Sequence, residues 1–109
     1  MKNSESESDR QRTRPGAVKL TMESVASSPS VVRADGLIER RHHHIGSAWI
    51  QLVGLDATDS IVSFTAPGRV RWRSDSDSEF FTIALRPRGT EQRFEVRLHS
   101  FEYQEEMSP

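Results

Sequence analysis

The chain has 109 residues, with 15 lysines and arginines against 16 aspartates and glutamates, which gives a formal net charge of −1. This length allows one domain, and the near-neutral charge excludes a global field that would draw the protein to nucleic acid or an anionic membrane. There is no cysteine, so disulfides and thiolate chemistry are excluded. The hydrophilic N-terminus does not resemble a signal peptide and the apolar runs are too short for a bilayer, so we expect a soluble cytoplasmic protein without membrane insertion.

The positions of the aromatic residues divide the chain into two parts. All eight lie on short segments that alternate apolar with polar residues: Trp49, Phe64, Trp72, Phe80, Phe81, Phe94, Phe101 and Tyr103. Such patterning between turn-forming clusters is typical of a small all-β domain. We therefore expect an antiparallel β-sandwich, or a partly open barrel, of about six to eight short strands over residues 30–104. Residues 1–29 are expected to be an arm that is disordered or ordered by a partner, and residues 105–109 a disordered tail.

The arm contains two distinct segments. Residues 4–9 set serines among acidic residues, a composition typical of a solvated disordered arm and also similar to acidophilic kinase sites. Residues 17–22 alternate weakly, which predicts an edge strand or a segment that orders only against a partner. After the arm, Ala34-Asp35-Gly36 predicts a hairpin turn, because Asp-Gly supplies the positive φ that a tight turn needs.

Five clearer strands follow, at about 48–55, 60–66, 69–73, 79–86 and 92–103. Their short connections favour antiparallel neighbours. Segment 48–55 is apolar on both faces, which suits a central strand. In the last segment the apolar positions change parity between Leu98 and Phe101, so we predict a bulge near His99-Ser100.

Alternating strand direction through all five strands would place the first and third loops at one end of the domain. That end would be acidic, and its carboxylates could form a calcium site built from two loops. The alternative is a solvated loop end, since Asp and Ser are ordinary turn residues. The candidate ligands are Asp56, Asp59, Asp75, Asp77 and Glu79.

The opposite end and its adjoining sheet face would be basic. The chain has 13 arginines against 2 lysines, and arginine suits bidentate phosphate contacts. The candidate contacts with nucleic acid or another anion are Arg69, Arg71, Arg73, Arg86, Arg88, Arg93 and Arg97. Phe80 and Tyr103 are candidates for base stacking. The alternative is ordinary pairing of these arginines with Glu91 and Glu95 across the sheet face.

Other chemistry finds little support in the sequence. Within His42-His43-His44, only the first and last side chains could share an ion in an extended segment, which is too few ligands for a zinc site. No phosphate loop, nucleophile elbow or zinc-protease motif is present in the sequence, so we expect neither an enzyme nor a cofactor.

The resulting hypothesis is a non-enzymatic binding or assembly module, a small accessory or structural protein. We expect a protein partner, and a homo-oligomer formed through sheet edges or the arm, with residues 17–26 adding a strand to a neighbouring copy. The alternative is nucleic-acid or phospho-ligand binding through the arginine-rich sheet face.

Overall fold

The computed structural model describes residues 16–104, which form seven strands and no helix. The strands are β1 (Val18–Ser27), β2 (Val32–Arg40), β3 (Ile45–Leu55), β4 (Ile61–Phe64), β5 (Gly68–Arg71), β6 (Ser78–Leu85) and β7 (Arg93–Tyr103). They make two antiparallel sheets packed as a partly open sandwich, which confirms the all-β prediction. In the part of the chain described, no helix is long and apolar enough to cross a membrane.

The first sheet has the strand order β1-β2-β6. The second sheet is built around β3, which pairs with β7 along one edge and with β4 and then β5 along the other. β3 is therefore the central strand that its apolar residues on both faces predicted.

The core lies between the two sheets and follows the period of two that a pleated strand imposes. On β2, Val32, Ala34 and Ile38 are fully buried while the alternate Arg33 is exposed. The facing sheet contributes side chains from β3 and β7, of which Phe101 is the largest that is fully buried.

The hairpin turn predicted at Ala34-Asp35-Gly36 is wrong. These residues lie in the middle of β2, and Gly36 has no positive φ. A Cβ on Gly36 would overlap the carbonyl oxygen of Thr21 and lie 2.6 Å from Cζ of Phe81. The glycine is therefore explained by the close approach of β1 and an aromatic ring to β2, and not by a turn.

The bulge predicted near His99-Ser100 is confirmed. Trp49 pairs with Ser100 and Ile50 pairs with Leu98, so His99 is the extra residue of β7. This one-residue insertion allows Leu98 and Phe101 to share the inner face of the sheet.

The prediction of one acidic and one basic end is wrong. β4 and β5 are both antiparallel to β3, so they run in the same direction, and Ala66-Pro67 interrupts one edge strand instead of forming a hairpin. The loop at 56–60 therefore lies at one end of the sandwich and the loop at 72–77 at the other. Each end carries charges of both signs, as the ion pairs Arg93–Asp59 and Arg40–Asp77 illustrate.

The position of β1 differs from the expected boundary between arm and body. Residues 18–27, assigned to the arm from the sequence, form β1 and pair with β2 of the same chain. The rest of the arm up to residue 15 and the tail at 105–109 lie outside the described residues.

Candidate functional site

The seven candidate arginines fall into three groups. Arg69 and Arg71 lie on β5 and Arg73 follows it, near the start of β3. Arg86 and Arg88 lie in the loop between β6 and β7, near the end of β3. The third group is Arg93 and Arg97 on β7. The seven do not form one continuous surface.

The two arginines on β7 are neutralised by carboxylates. Arg93 pairs with Asp59 at 2.8 Å and with Glu95 at 2.6 Å, while Arg97 pairs with Glu95 at 3.0 Å. The hydrogen bond to Asp59 raises the pKa of the Arg93 guanidinium further above its usual range. Ordinary arginine–glutamate pairing therefore describes this part of the sheet face.

The arginines of β5 line two adjacent clefts. The larger, of about 850 Å³, lies at the start of β3 and includes all of Arg69, Arg71 and Arg73. The smaller, of about 330 Å³, separates β5 from β6 and again includes Arg69 and Arg71. These two arginines therefore form a ridge between the clefts, which we call the β5 ridge.

The guanidinium groups of the three arginines differ in how they are held. Arg69 lies over the ring of Trp49, 5.6 Å from its centroid, and donates from Nη2 to Oγ of Ser47 at 3.2 Å. Arg73 is 78% exposed and lies 3.5 Å from a carboxylate oxygen of Glu79. Among residues 16–104, the guanidinium of Arg71 has no ion pair or hydrogen bond.

Both aromatic candidates border the β5 ridge. Tyr103 lines the larger cleft and Phe80 the smaller, and their exposed fractions are 41% and 78%. Tyr103 is held by an edge-on contact with Phe101, at 5.7 Å between ring centroids and 88° between ring planes. The structure therefore brings Phe80 and Tyr103 close to Arg69 and Arg71, as the stacking hypothesis requires.

A buried arginine outside the seven candidates, Arg40, lies behind the larger cleft and supports it. The side chain of Arg40 is 2% exposed, and its guanidinium contacts the Trp72 ring at 5.8 Å. It donates to Oδ1 of Asp77 at 3.0 Å and to the carbonyl oxygens of Ile45, Arg73 and Ser76 at 2.7, 3.1 and 2.9 Å. These bonds fix the loop at 72–77, and with it Arg73. The sequence does contain an indication that Arg40 is buried. Arg40 lies at the same alternate positions of β2 as Val32 and Ile38, which face the core.

Trp49 is a second residue that the sequence reading missed. It lies on the outer face of β3 and holds Arg69, although its apolar neighbours on both sides suggested a core position. The register of β3 against β5, which places Trp49 opposite Arg69, could not be read from the apolar pattern.

The acidic candidates are divided between the two ends of the sandwich. Asp56 and Asp59 lie after β3, whereas Asp75, Asp77 and Glu79 lie around the loop that precedes β6. Asp56 accepts hydrogen bonds from Oγ1 and N of Thr58 and from N of Ser60, and the Thr58 hydroxyl contributes most to lowering the pKa of Asp56. Within residues 16–104, no three metal-ligating side chains are grouped as an ion would require.

The three consecutive histidines lie in the exposed turn between β2 and β3. Nδ1 of His43 is 3.0 Å from Oδ1 of Asp77, the carboxylate that also accepts from Arg40. This contact joins the histidine turn to the loop at 72–77.

Comparison of the chain with protein-family models, with curated proteins and with solved structures gives no match.

Proposed function

We propose that the protein is a non-enzymatic binding module that self-associates through the edge of β1 opposite β2, an edge that pairs with no strand within residues 16–104. Two copies would pair their β1 strands antiparallel about a two-fold axis, which joins their first sheets into one continuous sheet. The observation that supports this proposal is the exposure of β1: each of its residues from position 21 to 27 is exposed.

Two apolar side chains of β1 suggest what the pairing would cover. Met22 and Val25 are 38% and 42% exposed, although they pair with Gly36 and Ala34 on the inward side of the first sheet. The first half of β1 packs on the core through Val18 and Leu20, whereas the second half extends beyond it. A second copy at this edge would remove Met22 and Val25 from water.

The other sheet edges are less suited to strand addition. The β4–β5 edge is interrupted by Pro67, which has no amide hydrogen to donate. β7 carries the paired charges of Arg93, Glu95 and Arg97, and charged side chains discourage edge pairing. β6 faces β5 across the smaller cleft. β1 is ten residues long, and Lys19 and Glu23 are its only charged residues.

β1 already pairs with β2 of its own chain. This favours a dimer in which a second copy adds to the outer edge of β1 over a dimer in which two copies exchange their β1 strands. The register joins nine residue pairs of the two strands, with a shift at Glu23. A copy that adds to the outer edge keeps this pairing, so association would not require β1 to leave its own sheet.

The test is the substitution Val25→Lys, measured by sedimentation velocity on the full chain over a range of concentrations. A lysine at the joined edge would lose its hydration and would lie near the same lysine of the second copy. We therefore expect the dimer Kd to rise at least tenfold, which corresponds to a loss of about 1.4 kcal/mol of association free energy. Ala26→Lys is the matched control, because Ala26 is adjacent but lies on the outer face, opposite Arg33.

Two results would contradict the proposal. One is a wild-type protein that sediments as a 12.4 kDa monomer at every concentration. The other is a dimer that both substitutions weaken equally.

A further inference from the structure

We infer that the β5 ridge and its two clefts form a binding surface for single-stranded nucleic acid. Phosphate groups would contact Arg69, Arg71 and Arg73, and bases would stack on Tyr103 and Phe80. This surface is separate from the β1 edge and does not depend on self-association.

Within residues 16–104, two of the ridge-side arginines carry charge that no close ion pair neutralises. Arg71 makes no ion pair within residues 16–104, and Arg73 has only a long contact to Glu79, at 3.5 Å. Arg69 and Arg71 point to the same face of β5, about 7 Å apart along the strand because residues rise about 3.4 Å each. That separation is comparable to the spacing of neighbouring phosphates in an extended strand.

Carboxylates in the larger cleft restrict the kind of anion that would fit. Asp75 and Glu102 line it together with the three arginines, so the local excess of positive charge is small. A small ligand that carries two negative charges close together would be repelled by these carboxylates. A phosphodiester strand spreads single charges along the ridge, which suits this balance better.

The aromatic residues favour a nucleic acid over an acidic peptide. Tyr103 and Phe80 expose ring surface on opposite sides of the ridge, and base–aromatic stacking tolerates any sequence. An acidic peptide would use the arginines but would gain less from two exposed rings.

The test is fluorescence anisotropy of a labelled 12-nucleotide oligothymidylate with the full-length protein at a series of salt concentrations. The double variant Arg69→Ser, Arg71→Ser is expected to bind at least tenfold more weakly. It should also lower the slope of log K against log salt by about 1.4, as the loss of two single-strand phosphate contacts requires. The control Arg86→Ser, Arg88→Ser removes the same charge from the other end and should change the Kd less than twofold.

Two further variants separate binding from folding. Arg71→Ser alone removes a side chain that has no ion pair or hydrogen bond in the described part of the chain, and should lower affinity without changing the melting temperature. Tyr103→Leu tests stacking, and should weaken binding while the salt slope stays the same.

Three results would overturn the inference. The first is the absence of oligonucleotide binding at low salt. The second is an equal loss of affinity in the ridge variant and the control. The third is displacement of the labelled oligonucleotide by polyglutamate or inorganic phosphate as readily as by unlabelled oligothymidylate, compared at equal concentrations of anionic groups. The surface would then be a general anion site.

Discussion

Glu91 shows at the residue scale how one carboxylate can organise a loop. It accepts hydrogen bonds from the backbone amides of Arg88 and Gly89, and from Oγ of Ser63 at 2.5 Å. Burial of the carboxyl opposes its charge, but these donors outweigh that effect and lower the pKa of Glu91 to about 2. The same contacts hold the loop that follows β6 against β4.

This pKa predicts a pH-dependent stability for the variant Glu91→Gln. A carboxyl whose folded pKa lies below its ordinary value of 4.5 stabilises the fold above that pH, and the contribution is lost as the pH falls toward 2. We expect the variant to be less stable than wild type by about 1–2 kcal/mol at pH 7, with the difference disappearing between pH 4.5 and pH 2.

Urea denaturation at several pH values measures this effect. Glu102→Gln, at an exposed position of β7, is the control and should track wild type throughout. A difference between wild type and Glu91→Gln that stays constant down to pH 2 would show that charge is not the cause.

At the scale of elements, Gly36 allows three strands to approach one another. Its missing side chain leaves room for the Thr21 carbonyl of β1 and the Phe81 ring of β6. We expect Gly36→Ala to lower the free energy of unfolding by about 2–3 kcal/mol, because strand backbone and a core ring must both shift. The measurement is the urea midpoint at pH 7.

Gly68 provides the control for this substitution. A Cβ there would meet nothing closer than the Ile50 carbonyl oxygen at 3.9 Å, an ordinary contact. We expect Gly68→Ala to change stability by less than about 0.5 kcal/mol, in line with other unobstructed surface changes. Equal effects of the two substitutions would rule out the steric explanation.

The strands themselves could be predicted from the sequence, because alternation and turn residues are local signals. The five clear strands and the bulge at His99 both follow from the parity of apolar residues. The turn at Asp35-Gly36 was mispredicted because glycine serves two purposes, positive φ and close packing, and the local sequence does not separate them.

Strand direction could not be predicted by the same local reasoning. Ala66-Pro67-Gly68 has the composition of a turn, yet Thr65 keeps the edge strand attached to β3. Its amide donates to the Leu52 carbonyl at 3.0 Å, and its hydroxyl accepts from the Leu52 amide at 3.1 Å. Whether a proline reverses a strand or only interrupts it depends on such contacts with the neighbouring strand.

At the scale of the whole molecule, the common direction of β4 and β5 changes which charged residues lie together. With β4 and β5 running in the same direction, the loops that hold Asp59 and Arg88 lie at the same end of the sandwich. The candidate calcium ligands are therefore separated, and only three of the seven arginines share one cleft. The residue types of the candidate site followed from the sequence, but their grouping required the pairing of strands.

The central claim is that two copies associate through β1, and spin labelling tests it most directly. The natural chain has no cysteine, so Thr21→Cys and Ala84→Cys each give a single labelling site on the outer face of the first sheet. In β1–β1 pairing the two Thr21 labels lie within about 20 Å. The Ala84 labels lie on the opposite edge strands, which are five strand spacings of about 4.8 Å apart, so these labels are separated by at least about 24 Å.

Electron paramagnetic resonance on the full chain distinguishes the possible outcomes. Short distances at position 21 and long distances at position 84 are the result that association through β1 predicts. Shorter distances at position 84 than at position 21, or no dipolar coupling at either position, would contradict it.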